Sequence, residues 1–163
     1  MAKLLGKDAK ETGQKVNRLI YGNWDKFFAG IKIFPHIKET LTAFKGAGLR
    51  LALLSDFPPV QKLSLLGLDG FFEAAFSSEE TGALKPSRVP FDYLIKTFAL
   101  APDKILYVGN SAFYDVKGAK SAGLKTALIR RGSFSTGFVS KSDAGEADFV
   151  FRDYRQLREY ILK

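Results

Sequence analysis

The chain has 163 residues, enough for one domain with a sizeable core, and 46% of them are hydrophobic and 26% charged, as in ordinary globular proteins. It has no cysteine and one histidine, which excludes a disulfide framework, a thiolate metal site and a multi-histidine zinc site. The formal net charge is +8, but basic and acidic residues are interspersed, which disfavours a nucleic-acid partner; attraction of anionic substrates explains the charge equally well.

The N-terminal 30 residues predict helices, because apolar side chains recur at helical spacing from Val16 to Phe28. This segment lacks the apolar core of a signal peptide, and no run in the chain approaches the roughly 18 apolar residues that cross a membrane. We therefore expect a cytoplasmic protein without membrane contact. Pro35 predicts the start of the next helix, at a favoured first-turn position, and Gly48 predicts its end.

Short apolar strands alternate with helices along the rest of the chain. The predicted strands are Leu51–Leu54, a segment within Phe71–Phe76, Ile105–Val108, Thr126–Ile129 and Phe149–Phe151. The predicted helices are Val60–Leu66, a stripe from Phe91 to Phe98, a segment between Asp115 and a glycine cap at Gly123, and a final helix capped by Asp153. This alternation predicts an α/β fold with a mainly parallel sheet.

Polar groups follow the first two of these strands. Ser55 and Asp56 come directly after the strand Leu51–Leu54, where a hydroxyl and the backbone amides of the turn can bind an anion. Either residue can instead simply cap the next helix. Lys85 precedes Pro86, which fixes the local backbone and can therefore aim the lysine, although such a pair standing alone is typical of a surface loop.

A glycine turn follows the strand Ile105–Val108. Gly109 ends the strand, and Asn110 and Asp115 lie at its carboxyl end, where open α/β sheets bind ligands. The alternative interpretation is a solvated turn with an N-capping aspartate. Phosphoryl transfer suits these groups, which follow one another along the chain. The Ser55 hydroxyl and the Lys85 ammonium can hold phosphate oxygens, and the Asp115 carboxylate can hold or position Mg²⁺.

Three segments, LALLSDFP, GALKPSRVPFDYLIK and ILYVGNSAFYDVKGAKSAGLKTALI, resemble in order and spacing the motifs of the haloacid dehalogenase superfamily. The resemblance implies a Rossmann-like three-layer core with a mainly parallel sheet over residues 31–163 and the remnant of a helical cap over residues 1–30. Members are mostly Mg²⁺-dependent phosphatases, and some are dehalogenases or phosphotransferases. The resemblance implies phosphate binding by Ser55, Asp56 and Lys85, catalytic roles for Lys85 and Asp115, and a metal site at Asn110 and Asp115.

The sequence departs from this family at its nucleophile. That nucleophile is the first aspartate of an Asp-x-Asp motif after an N-terminal apolar strand, and no two aspartates of this chain lie two residues apart. Asn110 also stands where the family usually has an acidic residue. We therefore expect a fragment that lacks the strand between those ending at Ser55 and Gly109. Either these two strands pair directly, or self-association or a partner chain completes the sheet.

These observations leave alternative functions open. The first is a phosphatase-like hydrolase that acts on a small phosphate ester through an aspartyl-phosphate, with this chain inactive by itself. The second is a non-catalytic binding or regulatory protein on the same fold, with a specific partner for the strand-deficient surface. A third, driven by the net charge, is a nucleic-acid binder.

Overall fold

A computed structural model of the chain describes residues 8–19, 21–28, 30–130 and 147–163. The chain divides into two compact units. The first comprises the described residues up to Ile33 together with Val60–Asp69, and the second comprises Phe34–Pro59 and the described part of Gly70–Lys163. That residues 1–30 are the remnant of a cap stays a prediction.

Helices and strands alternate along the described residues, as the apolar pattern predicts. The helices are α1 (Ala9–Leu19), α2 (Trp24–Phe28), α3 (Ile37–Gly46), α4 (Val60–Leu65), α5 (Val89–Phe98), α6 (Gly118–Ser121) and α7 (Tyr154–Ile161). The strands are β1 (Ala52–Ser55), β2 (Ala74–Ser77), β3 (Leu106–Gly109), β4 (Lys125–Ile129) and β5 (Phe149–Phe151). None of the helices in these ranges has both the length and the apolar character needed to cross a bilayer.

Aromatic packing around Trp24 holds the first unit together. Trp24 is buried, its ring meets the Tyr21 ring edge-on at 5.1 Å between centroids, and the Lys62 ammonium of α4 lies 5.0 Å from the Trp24 ring centroid. A short 3-10 turn at Tyr21–Asn23 separates α1 from α2. The predicted helical N-terminal segment is therefore confirmed for the described residues.

The second unit is a three-layer α/β structure, as predicted. β1 pairs with β2, β3 with β4, and β4 with β5, and every pair is parallel. One core cluster joins α5 and α6 to the sheet through Leu54, Phe76, Phe91, Leu94, Phe98, Ala119, Ala122 and Leu124. A second cluster joins α3 and α7 to it through Phe44, Ala127, Ile129, Phe151 and Leu157. Because helices cover both faces, the strands are apolar rather than alternating.

The prediction that Pro35 opens a helix is wrong by two residues. α3 begins at Ile37, because His36 adopts a left-handed conformation with φ of 62° that no α-helix contains. The end of this helix is as predicted: Gly48 has φ of +77° and its N–H donates to the Lys45 carbonyl. Gly123 has φ of +84° after α6, which confirms the predicted glycine cap there as well.

The sheet of the second unit is interrupted between β1 and β3. Among the described residues β1 and β2 form one sheet, and β3, β4 and β5 form another. The alternative in which β1 and β3 pair directly is therefore wrong, because their facing edges carry no ladder. The missing pairing falls at the position where the sequence predicts a missing strand.

Candidate active site

Three of the predicted site residues meet where β1 and β3 end. The Lys85 ammonium donates to Asp115 Oδ1 at 2.7 Å and lies 3.9 Å from Asp56 Oδ2. Only 10% of the Lys85 side chain and 6% of the Asp115 side chain are exposed, so this ion pair is largely shielded from water. A buried cation of this kind is retained only where carboxylates and hydrogen bonds compensate its desolvation.

Asp56 also positions the backbone that carries Lys85. Its Oδ1 accepts a hydrogen bond from the Lys85 backbone N–H at 3.2 Å, which ties the loop after β1 to the loop after β2. The peptide bond between Lys85 and Pro86 is cis. Ser55 lies beside Asp56 at the end of β1, and its Oγ accepts from the Phe57 N–H at 3.2 Å, within its own turn. The hydroxyl therefore shapes the turn that follows β1.

A π-helical turn at Ala112–Lys117 directs Asp115 back to the end of β3. The Ser111 carbonyl accepts from the Val116 N–H at 3.1 Å, the wider spacing that defines such a turn. Asp115 Oδ2 then accepts from the backbone N–H groups of Asn110 and Ser111, each at 3.0 Å. A Cβ at Gly109 would lie 2.6 Å from Asp115 Oδ2, so only glycine at this position leaves room for the Asp115 side chain.

Tyr107, which we did not predict, is a further member of the site. Its hydroxyl accepts from the Lys85 ammonium at 3.2 Å and donates to Asp115 Oδ1 at 3.3 Å. Burial raises the pKa of Tyr107 far above its ordinary value, and the Asp115 charge and hydrogen bond raise this pKa further. The phenol therefore stays neutral. The sequence could have indicated this role, because side chains alternate along a strand and Tyr107 therefore lies on the same face as Gly109.

Comparison with known proteins agrees with this geometry. Residues 5–123 match the family model of the haloacid dehalogenase-like hydrolases. The chain belongs to this family. A glyceraldehyde 3-phosphate phosphatase of Methanocaldococcus jannaschii is 29% identical over 80% of this chain and 57% of its own length. A phosphoglycolate phosphatase of Haemophilus influenzae is 30% identical over 77% of this chain and 56% of its own.

Solved structures show the same relationship. A structure from Haemophilus somnus 129pt, described as a predicted phosphoglycolate phosphatase, superposes with a TM-score of 0.76 and 26% identity, covering 98% of this chain and 72% of the other. A haloacid dehalogenase-type phosphatase from Thermococcus onnurineus gives a TM-score of 0.69 at 25% identity, covering 98% of this chain and 84% of its own. The chain thus spans 57% of the length of the Methanocaldococcus jannaschii relative and most of these solved chains.

The described residues of this haloacid dehalogenase-like chain do not make a complete magnesium site. A carboxylate offers about four lone-pair positions, and those of Asp115 already accept from Lys85, Tyr107, Asn110 and Ser111. No cluster of three or more His, Asp or Glu side chains suited to a metal occurs in the described ranges. Asn110 and Asp115, the predicted metal ligands, therefore need further oxygen ligands, and Asp115 must give up a hydrogen bond to join them.

A cavity of about 230 Å³ opens beside the Lys85–Asp115 pair. Its lining comprises Phe34, Leu54, Lys85, Tyr107, Val108, Gly109, Asn110, Asp115, Ile129 and Tyr154. Leu54 and Tyr107 belong to the core cluster under α5 and α6, whereas Ile129 and Tyr154 belong to the cluster under α3 and α7. The cavity therefore passes through the sheet from one helical layer towards the other, and we call it the strand gap.

Proposed function

We propose that this chain carries the phosphate-holding part of a phosphomonoester phosphatase. The observation that supports this best is the buried Lys85 ammonium, held by Asp115 and Asp56 where β1 and β3 end. A lysine fixed in this way can hold phosphate oxygens without reorganisation. The Ser55 hydroxyl and the backbone amides after β1 supply further donors for those oxygens.

The substrate that we propose is a small phosphate ester. The relatives are named for two such compounds, glyceraldehyde 3-phosphate and phosphoglycolate. A cavity of about 230 Å³ is below the 300–1,000 Å³ range of pockets for drug-sized ligands, which agrees with a compact substrate. In this proposal the protein acts in the cytoplasm.

Magnesium is the cofactor that we propose, and charge balance is the physical reason. Lys85 contributes one formal positive charge, and Asp56 and Asp115 contribute two negative ones, so the cluster is net negative by one charge. A phosphate dianion is repelled by such a cluster unless a divalent cation reverses its sign. Asn110 and Asp115 would contribute to holding the cation, and the remaining ligands would come from outside the described residues.

The chain alone is not a competent phosphatase in this proposal. The sequence holds no Asp-x-Asp motif, and Lys85 and Asp115 are committed to each other rather than free to attack phosphorus. Without a covalent nucleophile the two-step route through an aspartyl-phosphate cannot begin. Weak binding of phosphate with Mg²⁺ is expected to survive.

The test measures binding of inorganic phosphate to the folded full chain by calorimetry with Mg²⁺ present, and hydrolysis of para-nitrophenyl phosphate in parallel. We expect Lys85→Met to weaken phosphate binding about tenfold or more, because a charge-assisted hydrogen bond is lost. The matched control is Lys104→Met, whose side chain is 72% exposed, and it should bind as the parent does. We expect no hydrolysis by the chain alone. Hydrolysis that occurs and survives Asp115→Ala, or phosphate binding indifferent to Lys85→Met, would refute the assignment.

A non-catalytic binding protein is the second candidate. The observation that favours it is the Asp115 carboxylate, whose lone pairs are already taken by Lys85, Tyr107 and two backbone amides. In that case the cluster stabilises the fold and holds no ligand. Absence of phosphate binding by the folded parent chain, with Mg²⁺ present, would favour this second function over the first.

A further inference from the structure

We propose that Tyr107 is a positioning residue, whose hydroxyl directs one N–H group of the Lys85 ammonium into the strand gap, towards an oxygen of the bound phosphate. Tyr107 acts through Lys85 and does not itself bind the phosphate. The inference rests on the proposed function, because it takes phosphate as the ligand of Lys85, and it gives a role to a side chain that this function leaves without one.

The hydrogen bonds of the Lys85 ammonium supply the first argument. An ammonium group has three N–H donors and no acceptor. Asp115 Oδ1 accepts from one of them at 2.7 Å, and the Tyr107 hydroxyl accepts from a second at 3.2 Å. Asp56 Oδ2 lies 3.9 Å from the Lys85 Nζ atom, which is beyond hydrogen-bonding distance. Among the residues that the structure describes, one N–H group of Lys85 therefore has no acceptor.

The second acceptor determines where this third N–H group points. Lysine has a flexible four-carbon stem, so a side chain held by Asp115 alone would be free to pivot about a single hydrogen bond. Because the N–H groups of an ammonium are arranged tetrahedrally, holding two of them fixes the direction of the third. Lys85 lines the strand gap together with Tyr107 and Asp115, so this N–H group is available to an oxygen atom in that cavity.

The chemistry of a tyrosine hydroxyl suits this role. The Tyr107 hydroxyl accepts from Lys85 and donates to Asp115 Oδ1 at 3.3 Å, so both of its neighbours are satisfied by one neutral group. A further carboxylate in its place would hold the ammonium as well but would add a negative charge beside Asp56 and Asp115. Such a charge would repel a phosphate, whereas the neutral hydroxyl does not.

Packing holds the hydroxyl in place. The Tyr107 ring meets the Phe91 ring edge-on at 5.0 Å between centroids, and Phe91 is completely buried. Gly118 leaves room for this arrangement, because a Cβ there would lie 2.5 Å from Phe91 Cε2. Tyr107 thus carries its hydroxyl on a rigid ring that a strand and a buried neighbour fix, which is how precise sites are supported.

The first experiment follows the Lys85 ammonium directly, in the full chain without phosphate. Proton–nitrogen NMR spectra show the lysine ammonium groups, and loss of one signal in Lys85→Met assigns it. We expect Tyr107→Phe to speed hydrogen exchange of this ammonium about fivefold or more, because one of its hydrogen bonds is lost, and to leave the backbone amides of β3 unchanged. Equal acceleration of both, which a merely structural role would produce, or unchanged exchange of the ammonium would overturn the proposal.

The second experiment measures phosphate affinity by calorimetry with Mg²⁺ present. We expect Tyr107→Phe to weaken binding about three- to tenfold in the parent chain. In the Lys85→Met background the same change should have no effect, because Tyr107 acts only through Lys85. The matched control is Tyr93→Phe, which should bind as the parent does. The Tyr93 ring also meets a phenylalanine, Phe76, edge-on at 5.4 Å, but its hydroxyl contacts neither Lys85 nor Asp115.

The outcomes separate this inference from the proposed function. A parent chain that binds no phosphate refutes both together. Phosphate binding by the parent that Tyr107→Phe leaves unchanged, or a loss on Tyr107→Phe that persists in the Lys85→Met background, overturns the role of Tyr107 alone and leaves that of Lys85 intact.

Discussion

β4 and β3 are neighbouring parallel strands of similar apolar composition, yet they differ in burial. β4 has a strand on each side, and Ala127 and Leu128 are almost completely buried, at 0% and 2% exposed. Among the residues that the structure describes, β3 has a strand on one side only, and its Val108 is 36% exposed. Composition therefore does not decide how deeply a strand of this sheet is buried; the number of its neighbours does.

The same asymmetry determines where the polar cluster lies. β4 contributes apolar side chains to the core on both sides, whereas β3 contributes Tyr107 and Gly109 to the site around Lys85 and Asp115. The polar cluster and the strand gap thus share one border of β3.

The largest difference in stability is expected between two valine substitutions. Val116 is 1% exposed and packs with Leu128 of β4, so Val116→Ala should lower the free energy of unfolding by about 2 kcal/mol, from lost burial and the cavity left behind. Val108→Ala should cost less than about 0.5 kcal/mol, because Val108 faces the gap. Urea denaturation of both variants measures the difference.

If Val108→Ala and Val116→Ala lower the free energy of unfolding equally, β3 is as enclosed as β4. That result would contradict the difference in burial between the two strands.

A smaller effect is expected at Asp148, which ties the start of β4 to β5. Its Oδ2 accepts from the Thr126 N–H at 2.7 Å and from the Thr126 hydroxyl at 2.9 Å, and Lys120 donates to its Oδ1 at 2.9 Å. The Lys120 hydrogen bond, and after it those of Thr126, lower the pKa of Asp148 to about 2 from an ordinary 3.8.

Because the folded-state pKa is lowered, this carboxylate contributes stability that is fully present above about pH 4 and is lost as the pH falls towards 2. The Asp148 side chain is 40% exposed, so solvent screening should keep the contribution below about 1 kcal/mol. We expect the parent chain to unfold at a higher temperature at pH 5 than at pH 2, and we expect this difference in unfolding temperature to be smaller in Asp148→Asn. An unchanged difference would contradict this role.

The sequence predicts well those parts of the molecule that local chemistry controls. Every described strand overlaps its predicted position, and Ser55, Asp56, Lys85 and Asp115 lie at the predicted edge of the sheet. Apolar runs and glycine caps act over a few residues, so a pattern can reveal them. Pro35 is the exception, because the left-handed conformation of His36, with φ of 62°, delays the start of α3 to Ile37.

Features that depend on distant contacts were not predicted from the sequence. The role of Tyr107 requires Lys85, which is 22 residues away in the chain, to fold against it. The hydrogen bonds from the Asn110 and Ser111 N–H groups to Asp115 require a π-helical turn. The apolar periodicity of the sequence does not predict such a turn. The absent Asp-x-Asp motif predicts a missing strand, but the sequence left open whether β1 and β3 pair directly or another chain completes the sheet. The strand pairing in the structure excludes direct pairing of β1 with β3.

Residue-resolved amide exchange of the free chain tests most directly whether β1 and β3 have open edges. We expect alternate amides of β3, those bonded to β4, to be protected and the intervening amides, which face the strand gap, to exchange quickly. We expect β4 to be protected throughout. β1 should show the same alternation. Continuous protection along β1 and β3, equal to that of β4, would contradict the open edges of these two strands.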